Sequence, residues 1–131
     1  MAKGQVLFHG GSIASGLKIG EFIKTDRPFS TSFSPVKALL NALHLGKAYD
    51  ENQVNLLILR VVNSKTKAFI FNINEIDKGH EKEVLFASNL TLTLRKKTPI
   101  AKNYTVYGYE YSGSNCTPKD VPAYLLHIDI S

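Results

Sequence analysis

The sequence predicts an α+β domain in which a largely antiparallel β-sheet carries one main helix. A single clear helix signature stands near the front of the chain, and six or more β-prone segments accompany it. Residues 54–62 are apolar on both faces, which is typical of a strand buried in the middle of a sheet. Strands that follow one another without intervening helices favour α+β over a parallel βα arrangement.

The helix is predicted to begin at Pro35. Ser34 is a good N-cap residue, and proline suits the first helical position. Apolar residues follow at positions 36, 39, 40 and 43, and this spacing predicts one apolar stripe that faces the core. Gly46 is the predicted end of the helix.

The strands are predicted from apolar runs and from alternation of apolar and polar residues. A first strand over residues 5–9 is stopped by two glycines, and residues 27–33 hold a short extended stretch. Residues 13–22 contain two glycines and fit either a short helix or a loop. Residues 67–71 are predicted as a second central strand. Further strands are predicted at residues 84–86, 91–94, 104–111 and 124–130.

The composition indicates one globular domain that spans residues 1–131. The chain is 44% hydrophobic and 21% charged, which is ordinary for such a domain. We find no apolar run long enough to cross a bilayer and no apolar stretch of a signal peptide at the start. The single cysteine, Cys116, excludes an internal disulfide. These features predict a cytoplasmic location, which leaves open delivery into a host cell.

The net charge of +5 suits a polyanionic partner such as a dinucleotide or a nucleic acid, and equally suits a solubility role. The basic residues are scattered apart from Arg95-Lys96-Lys97, and no usual nucleic-acid motif is present. The histidines and acidic residues show no metal-ligand spacing with a third partner, so no metal is predicted.

Three separated segments carry residues that are suited to chemistry. Residues 7–11 form a strand that ends in His-Gly-Gly, which lets the backbone approach a ligand closely. Residues 29–34 place three hydroxyl residues between aromatics, and alternation puts Ser30 and Ser32 on one face. Residues 80–86 bring two glutamates, two positions apart, into an apolar strand. Taken singly, each segment also fits an ordinary turn, cap or solvated loop.

The acidic residues at positions 75, 77, 81 and 83 form a local cluster in an otherwise basic chain. Such a cluster is suited to holding a cation, and two glutamates at alternate positions of a strand are expected to project to the same side.

The order of these three motifs resembles the mono-ADP-ribosyltransferase superfamily over about residues 5 to 95. Ser-Thr-Ser followed by Phe-Ser-Pro and a helix is similar to the middle motif of its Arg-Ser-Glu class. Glu81-x-Glu83 resembles the biglutamate motif of the arginine-modifying members. The resemblance implies a split β-sheet sandwich and an NAD-dependent glycosyltransferase that moves ADP-ribose to a protein side chain with release of nicotinamide. Arginine is the acceptor that the biglutamate motif implies.

The resemblance also implies roles for individual residues. Glu83 corresponds to the catalytic glutamate, which holds the 2′-hydroxyl of the nicotinamide ribose and stabilises the oxocarbenium-like ion. Glu81 corresponds to the residue that orients or deprotonates the acceptor. Ser30 positions Glu83 or the ribose, and residues 77–80 correspond to the loop that reads the substrate.

The remaining implied roles concern the binding of NAD, the co-substrate. His9 contacts the adenosine-side ribose or a phosphate, and the backbone of Gly10 binds the nicotinamide amide. An aromatic ring stacks on nicotinamide, with Phe29 and Phe33 as the two candidates. The predicted NAD-binding residues are His9, Gly10, Ser30, Thr31, Ser32, Phe33 and Glu83.

One position departs from the Arg-Ser-Glu pattern. The class carries arginine at the end of the first strand, where this chain has His9 followed by Gly10. His-Gly resembles the members of the diphtheria-toxin and poly-ADP-ribose polymerase kind, so the chain mixes two patterns. Two alternatives stay open beside a protein-modifying enzyme. The net charge and Arg95-Lys96-Lys97 leave open a transferase of the same fold that acts on nucleic acid, and His9 in place of arginine leaves open a catalytically silent binding module.

Overall fold

The computed structural model describes residues 3–43, 48, 51–62, 67–75, 79–106 and 118–131, with side chains outside residues 71–82. The strands and the helix α1 follow one another as β1 (Val6–Gly10), β2 (Phe22–Lys24), β3 (Phe29–Ser32), α1 (Pro35–Leu43), β4 (Val54–Val61), β5 (Ala68–Glu75), β6 (Gly79–Phe86), β7 (Thr91–Val106) and β8 (Lys119–Ile130). No helix in the described ranges is long and apolar enough to cross a membrane.

The eight strands form one sheet in the order β2-β7-β8-β4-β1-β3-β6-β5. Neighbouring strands are antiparallel except for β4 and β8, which run parallel in the described sheet. The sheet is therefore mixed but mainly antiparallel. One helix together with such a sheet confirms the predicted α+β class, and the predicted antiparallel arrangement is confirmed in part, because β4 and β8 are parallel.

The sheet is almost divided where β1 meets β3, a junction that we call the seam. A single registered pair, Phe8 with Ser32, joins β1 to β3, whereas five registered pairs join β1 to β4. The larger core cluster nevertheless draws residues from both sides of the seam, including Leu7 and Leu57 on one side and Phe29 and Val84 on the other. The sheet thus has two parts that meet at a weak junction and share one core. This arrangement agrees in part with the predicted split sandwich.

The two faces of the sheet differ in what covers them. The face with the larger cluster is called the core face here. The opposite face carries a second cluster in which Ala42 of α1 packs with Val54 of β4, and it is called the helix face. Because side chains alternate along a strand, the position of each site residue on one face or the other follows from the register.

The central position predicted for residues 54–62 is confirmed. β4 lies between β1 and β8, and Leu57, Leu59 and Val61 are fully buried on the core face. The predicted alternation in β8 is also confirmed, because Leu126, Ile128 and Ile130 are buried together. Continuous or strictly alternating apolar patterns of this length are typical of strands with one or both faces buried.

The predictions for β5 and β7 were less accurate. Residues 67–71 were predicted as a central strand, but β5 is at the edge of the sheet, and Phe69 and Ile70 are 69% and 58% exposed. An apolar run cannot distinguish an edge strand from a central one. β7 is one strand from Thr91 to Val106, and its register against β8 shifts along its length. The sequence predicted two separate strands in this region, at residues 91–94 and 104–111. The predicted continuation to residue 111 lies outside the described residues, as does Gly46.

Residues 13–21 form turns and irregular backbone and Phe22 begins β2, so the loop interpretation of this segment is confirmed and the helix interpretation is wrong. Ser15 N–H donates to the Ser12 carbonyl and Leu17 N–H donates to the Ala14 carbonyl, which are single turns that do not continue.

The helix α1 begins where the sequence predicts, and half of its predicted apolar stripe is packed, because Leu39 and Leu43 lie against the second core cluster. Val36 and Leu40 of the predicted apolar stripe are 66% and 50% exposed, whereas Ala38 and Ala42 are buried. The reason is close approach to β1: a Cβ on Gly10 would lie 1.8 Å from the Ala38 carbonyl oxygen. Small residues meet at the contact because larger ones would hold helix and strand apart.

The start of α1 depends on Ser34, whose hydroxyl accepts a hydrogen bond from the Lys37 backbone N–H at 3.2 Å. Ser34→Ala is expected to lower the free energy of unfolding by about 1 kcal/mol, because one N–H of the first turn loses its partner. Ser34→Asp keeps an accepting oxygen and is expected to stay near the wild-type value. Urea denaturation of the three proteins measures the difference, and equal stability of Ser34→Ala and wild type would contradict this role.

Candidate active site at the seam

The three motif segments, far apart in sequence, lie on three adjacent strands. His9 and Gly10 end β1, residues 30–32 lie in β3, and Glu83 lies in β6, and the sheet order places β3 between the other two. β3 pairs with β6 through four registered residues and with β1 through one. The candidate site is therefore centred on β3 and on the seam beside it.

The register places Ser32 directly opposite Glu83 and Ser30 opposite Leu85. Ser30, Ser32 and Glu83 therefore share the helix face of the sheet, with Ser30 diagonal to Glu83. Thr31 points to the core face, where its Oγ1 donates to the Val84 carbonyl at 2.8 Å in a buried hydrogen bond. The predicted alternation of Ser30 and Ser32 against Thr31 is thus observed, and Thr31 ties β3 to the strand that carries Glu83.

Glu83 is half-buried and forms no hydrogen bond or ion pair within the described part of the chain. Directly opposing side chains in an antiparallel pair have Cβ atoms about 5 Å apart. The Ser32 hydroxyl oxygen accepts from the Ser34 backbone N–H at 3.0 Å, so its own proton can be donated elsewhere. Ser32 lies directly opposite Glu83 in the register and Ser30 lies diagonal to it, and the predicted role of a serine in positioning Glu83 remains a prediction.

The second glutamate is described only by its backbone. Glu81 lies in β6, two residues before Glu83, and pairs with Ile73 of β5. Its side chain, the side chains of Glu75 and His80, and the whole of Asp77 lie outside the described residues. The predicted acidic cluster and the predicted substrate-reading loop therefore remain predictions.

His9 spans the seam. Its Nδ1 lies 2.7 Å from the Ser30 carbonyl oxygen, and its ring packs on Phe29 with centroids 4.3 Å apart. A carbonyl can only accept, so Nδ1 carries the proton and donates it. The register places the His9 side chain on the core face, with Phe29, rather than on the face of Glu83. The structure thus brings His9 to Ser30 but does not bring the imidazole to the Glu83 side of β3.

The backbone of Gly10 faces the seam. Val61 N–H donates to the Gln5 carbonyl and Gly11 N–H donates to the Asn55 carbonyl, so odd-numbered residues of β1 bond toward β4. Backbone groups alternate in direction along an antiparallel ladder, and the β1–β4 register is unbroken from Val6 to Gly10. The N–H and carbonyl of Gly10 therefore point toward β3, beyond the one registered pair of the seam.

A groove of about 430 Å³ opens beside the seam on the His9 side. Its walls are the end of β1, the loop between β2 and β3, and the start of β3. The lining residues are His9, Ile13, Thr25, Asp26, Arg27, Pro28, Phe29 and Ser30. Exposed Ser30 belongs both to this groove and to the face that carries Glu83, so the groove and the glutamate meet at Ser30.

The structure also distinguishes the two predicted aromatic candidates. Phe29 is buried, contacts His9 and lines the groove. Phe33 follows β3, is 37% exposed and is absent from the groove lining. The loop residues Asp26 and Arg27 were not predicted from the sequence as site residues. Their one sequence signal is their place immediately before the hydroxyl-rich strand.

Comparison with solved structures identifies the fold. C3larvin toxin, an ADP-ribosyltransferase from Paenibacillus larvae, is similar to this chain with a TM-score of 0.57 and 12% identity, over 100% of this chain and 63% of that chain. The catalytic domain of VahC from Aeromonas hydrophila is similar with a TM-score of 0.53 and 12% identity, over 96% of this chain and 60% of that chain. No family model and no curated protein matches the sequence.

The chain therefore shares its fold with C3larvin toxin, an ADP-ribosyltransferase, and with the catalytic domain of VahC, and the fold that the resemblance implies is confirmed. It spans less than two thirds of the length of either solved relative.

Proposed function

We propose that this chain is a mono-ADP-ribosyltransferase that moves ADP-ribose from NAD to a protein side chain, with arginine as the acceptor, and releases nicotinamide. The observation that carries the proposal is the adjacency of β1, β3 and β6, which gathers the His-Gly, Ser-Thr-Ser and Glu-x-Glu segments around one seam. The fold shared with an ADP-ribosyltransferase supports it.

Glu83 is suited to the central chemical task. The bond between the ribose and nicotinamide breaks with its electron pair leaving on nicotinamide, so positive charge develops on the ribose. A fixed carboxylate beside that ribose stabilises the transition state more than the ground state. Glu83 is half-buried and forms no ion pair within the described part of the chain, and Ser32, directly opposite in the register, is the side chain proposed to orient it.

The seam is suited to the nicotinamide amide. An amide needs one acceptor and one donor side by side, and the backbone carbonyl and N–H of Gly10 point together toward the β3 side. Phe29 and His9, whose rings are tilted by 33° to each other, line the adjoining groove. These features fit NAD as the co-substrate, with its nicotinamide end at the seam and its remaining length along the groove.

Glu81 is the proposed acceptor-side residue. In transfer to arginine, a guanidinium nitrogen attacks the ribose carbon and loses a proton, which a nearby carboxylate can accept. Glu81→Gln is therefore expected to block transfer to an arginine acceptor while NAD hydrolysis to ADP-ribose and nicotinamide continues. Mass spectrometry of an arginine-rich peptide, with nicotinamide release measured in the same reaction, tests both activities.

Equal loss of transfer and hydrolysis in Glu81→Gln would contradict a separate acceptor role. Labelling of RNA or DNA, but not of the peptide, by wild-type protein would contradict the protein acceptor.

A further inference from the structure

We propose that Arg27, rather than His9, binds the pyrophosphate of the dinucleotide. This inference rests on the proposed function, because it takes NAD as the occupant of the groove beside the seam. Arg27 and Asp26 are the charged side chains that line that groove in the described part of the chain, and Arg27 is the cation among them. It lies three residues before Ser30, on the loop that leads into β3.

His9 is poorly suited to the phosphate role. Its Nδ1 proton is donated to the Ser30 carbonyl at 2.7 Å, so Nδ1 cannot donate to a phosphate at the same time. The one remaining ring nitrogen can offer at most a single hydrogen bond, whatever the charge of the ring. A guanidinium offers a planar fork that matches two phosphate oxygens and stays charged at all ordinary pH values.

The loop that carries Arg27 is anchored on both sides. Thr25 exchanges backbone hydrogen bonds with the 89–90 turn, and its buried hydroxyl accepts from the Leu90 N–H at 3.0 Å. On the other side, Pro28 fixes its own φ angle and Phe29 is buried in the core. Arg27 is therefore presented to the groove from a short segment whose ends are held, which lowers the entropic cost of binding.

The guanidinium is available to a ligand. Among the described residues its one ion pair is a contact of 3.8 Å to Asp26, between two side chains that are 86% and 92% exposed. Such a pair is weak and is screened by salt, so an incoming phosphate can replace the carboxylate as the partner of Arg27. Asp26 works against an anion in the same groove, and its removal is expected to favour binding.

Calorimetric titration of NAD, ADP-ribose and nicotinamide into four proteins tests the inference. The proteins are wild type, Arg27→Ala, Arg27→Lys and Lys24→Ala, the last removing an exposed cation on β2 that does not line the groove. Arg27→Ala is expected to weaken NAD and ADP-ribose binding by about 10- to 100-fold, the usual effect of losing charge-assisted hydrogen bonds. Arg27→Lys is expected to recover part of that loss. Nicotinamide, which has no phosphate, is expected to bind wild type and Arg27→Ala equally.

Three outcomes would overturn the inference. If wild type binds NAD and Arg27→Ala binds ADP-ribose as tightly, the pyrophosphate role fails and the proposed function stands. If Lys24→Ala loses as much affinity as Arg27→Ala, the effect is one of general charge, and the specific role fails. If wild type binds neither NAD nor ADP-ribose, the inference and the proposed function fail together.

Discussion

Glu83→Gln is expected to lower the rate of nicotinamide release from NAD by about 10²- to 10³-fold, the range seen when one preorganised electrostatic contact is removed. The substitution keeps the size of the side chain and removes only its charge. Because the positive charge on the ribose exists mainly in the transition state, the loss should fall on kcat, and the affinity for NAD should change little. Chromatographic assay of nicotinamide over a range of NAD concentrations separates the two quantities.

Glu21→Gln is the matched control for this prediction. Glu21 is an exposed glutamate that accepts a hydrogen bond from the Lys18 backbone N–H, away from the seam, and its replacement is expected to leave the rate unchanged. Ser32→Ala is expected to give an intermediate loss, because Ser32 lies directly opposite Glu83 and is proposed to orient its carboxylate. Equal rates in wild type and Glu83→Gln would remove the enzyme proposal.

Gly10→Ala is expected to destabilise the fold by about 3 kcal/mol or more, above the usual cost of overpacking. The added Cβ would lie 1.8 Å from the Ala38 carbonyl oxygen and 2.8 Å from the Ala42 backbone nitrogen. These are backbone atoms of α1, so no side-chain rotation relieves the overlap, and the helix must move away from β1. Urea denaturation followed by circular dichroism measures the loss.

Gly16→Ala provides the control for Gly10→Ala. A Cβ on Gly16 meets nothing within 4 Å, so this substitution is expected to leave stability almost unchanged. Wild-type stability of Gly10→Ala would contradict the close packing of α1 on β1. This packing also means that Gly10 has a structural reason to be glycine, independent of any ligand at its backbone.

The features that the sequence predicts well are those with local physical causes. The start of α1 follows from Ser34 and Pro35, whose cap and ring act within one turn. The central place of β4 agrees with its apolar side chains on both faces, a pattern that is typical of a covered strand. The three motifs were predictable because each is a short pattern, and the resemblance supplied the expectation that the fold brings them together.

The features that the sequence does not predict depend on contacts between distant segments. The edge position of β5 depends on which strands pair, and its apolar run carries no such information. The burial of Ala38 instead of Val36 depends on how closely α1 approaches Gly10. Arg27 looks like an ordinary loop cation until the structure shows that it lines the same groove as His9.

The hydrogen bond from His9 to the Ser30 carbonyl also could not be predicted from the sequence, because it joins residues 21 positions apart through a backbone group. It gives His9 a role in bridging the seam and assigns its Nδ1 proton. In this chain the histidine of the mixed motif pattern holds β1 to β3, and Arg27 of the neighbouring loop is the residue proposed to bind the anion.

Titration of NAD into isotopically labelled protein, followed by backbone amide NMR, tests the central claim most directly. If NAD binds at the seam, the largest shift changes are expected at Gly10, Ser30 and Glu83, which lie on three adjacent strands. Saturable changes confined to residues away from the seam, such as Arg60 and Arg95, which both form ion pairs with Asp129 of β8, or no changes at millimolar NAD, would contradict it.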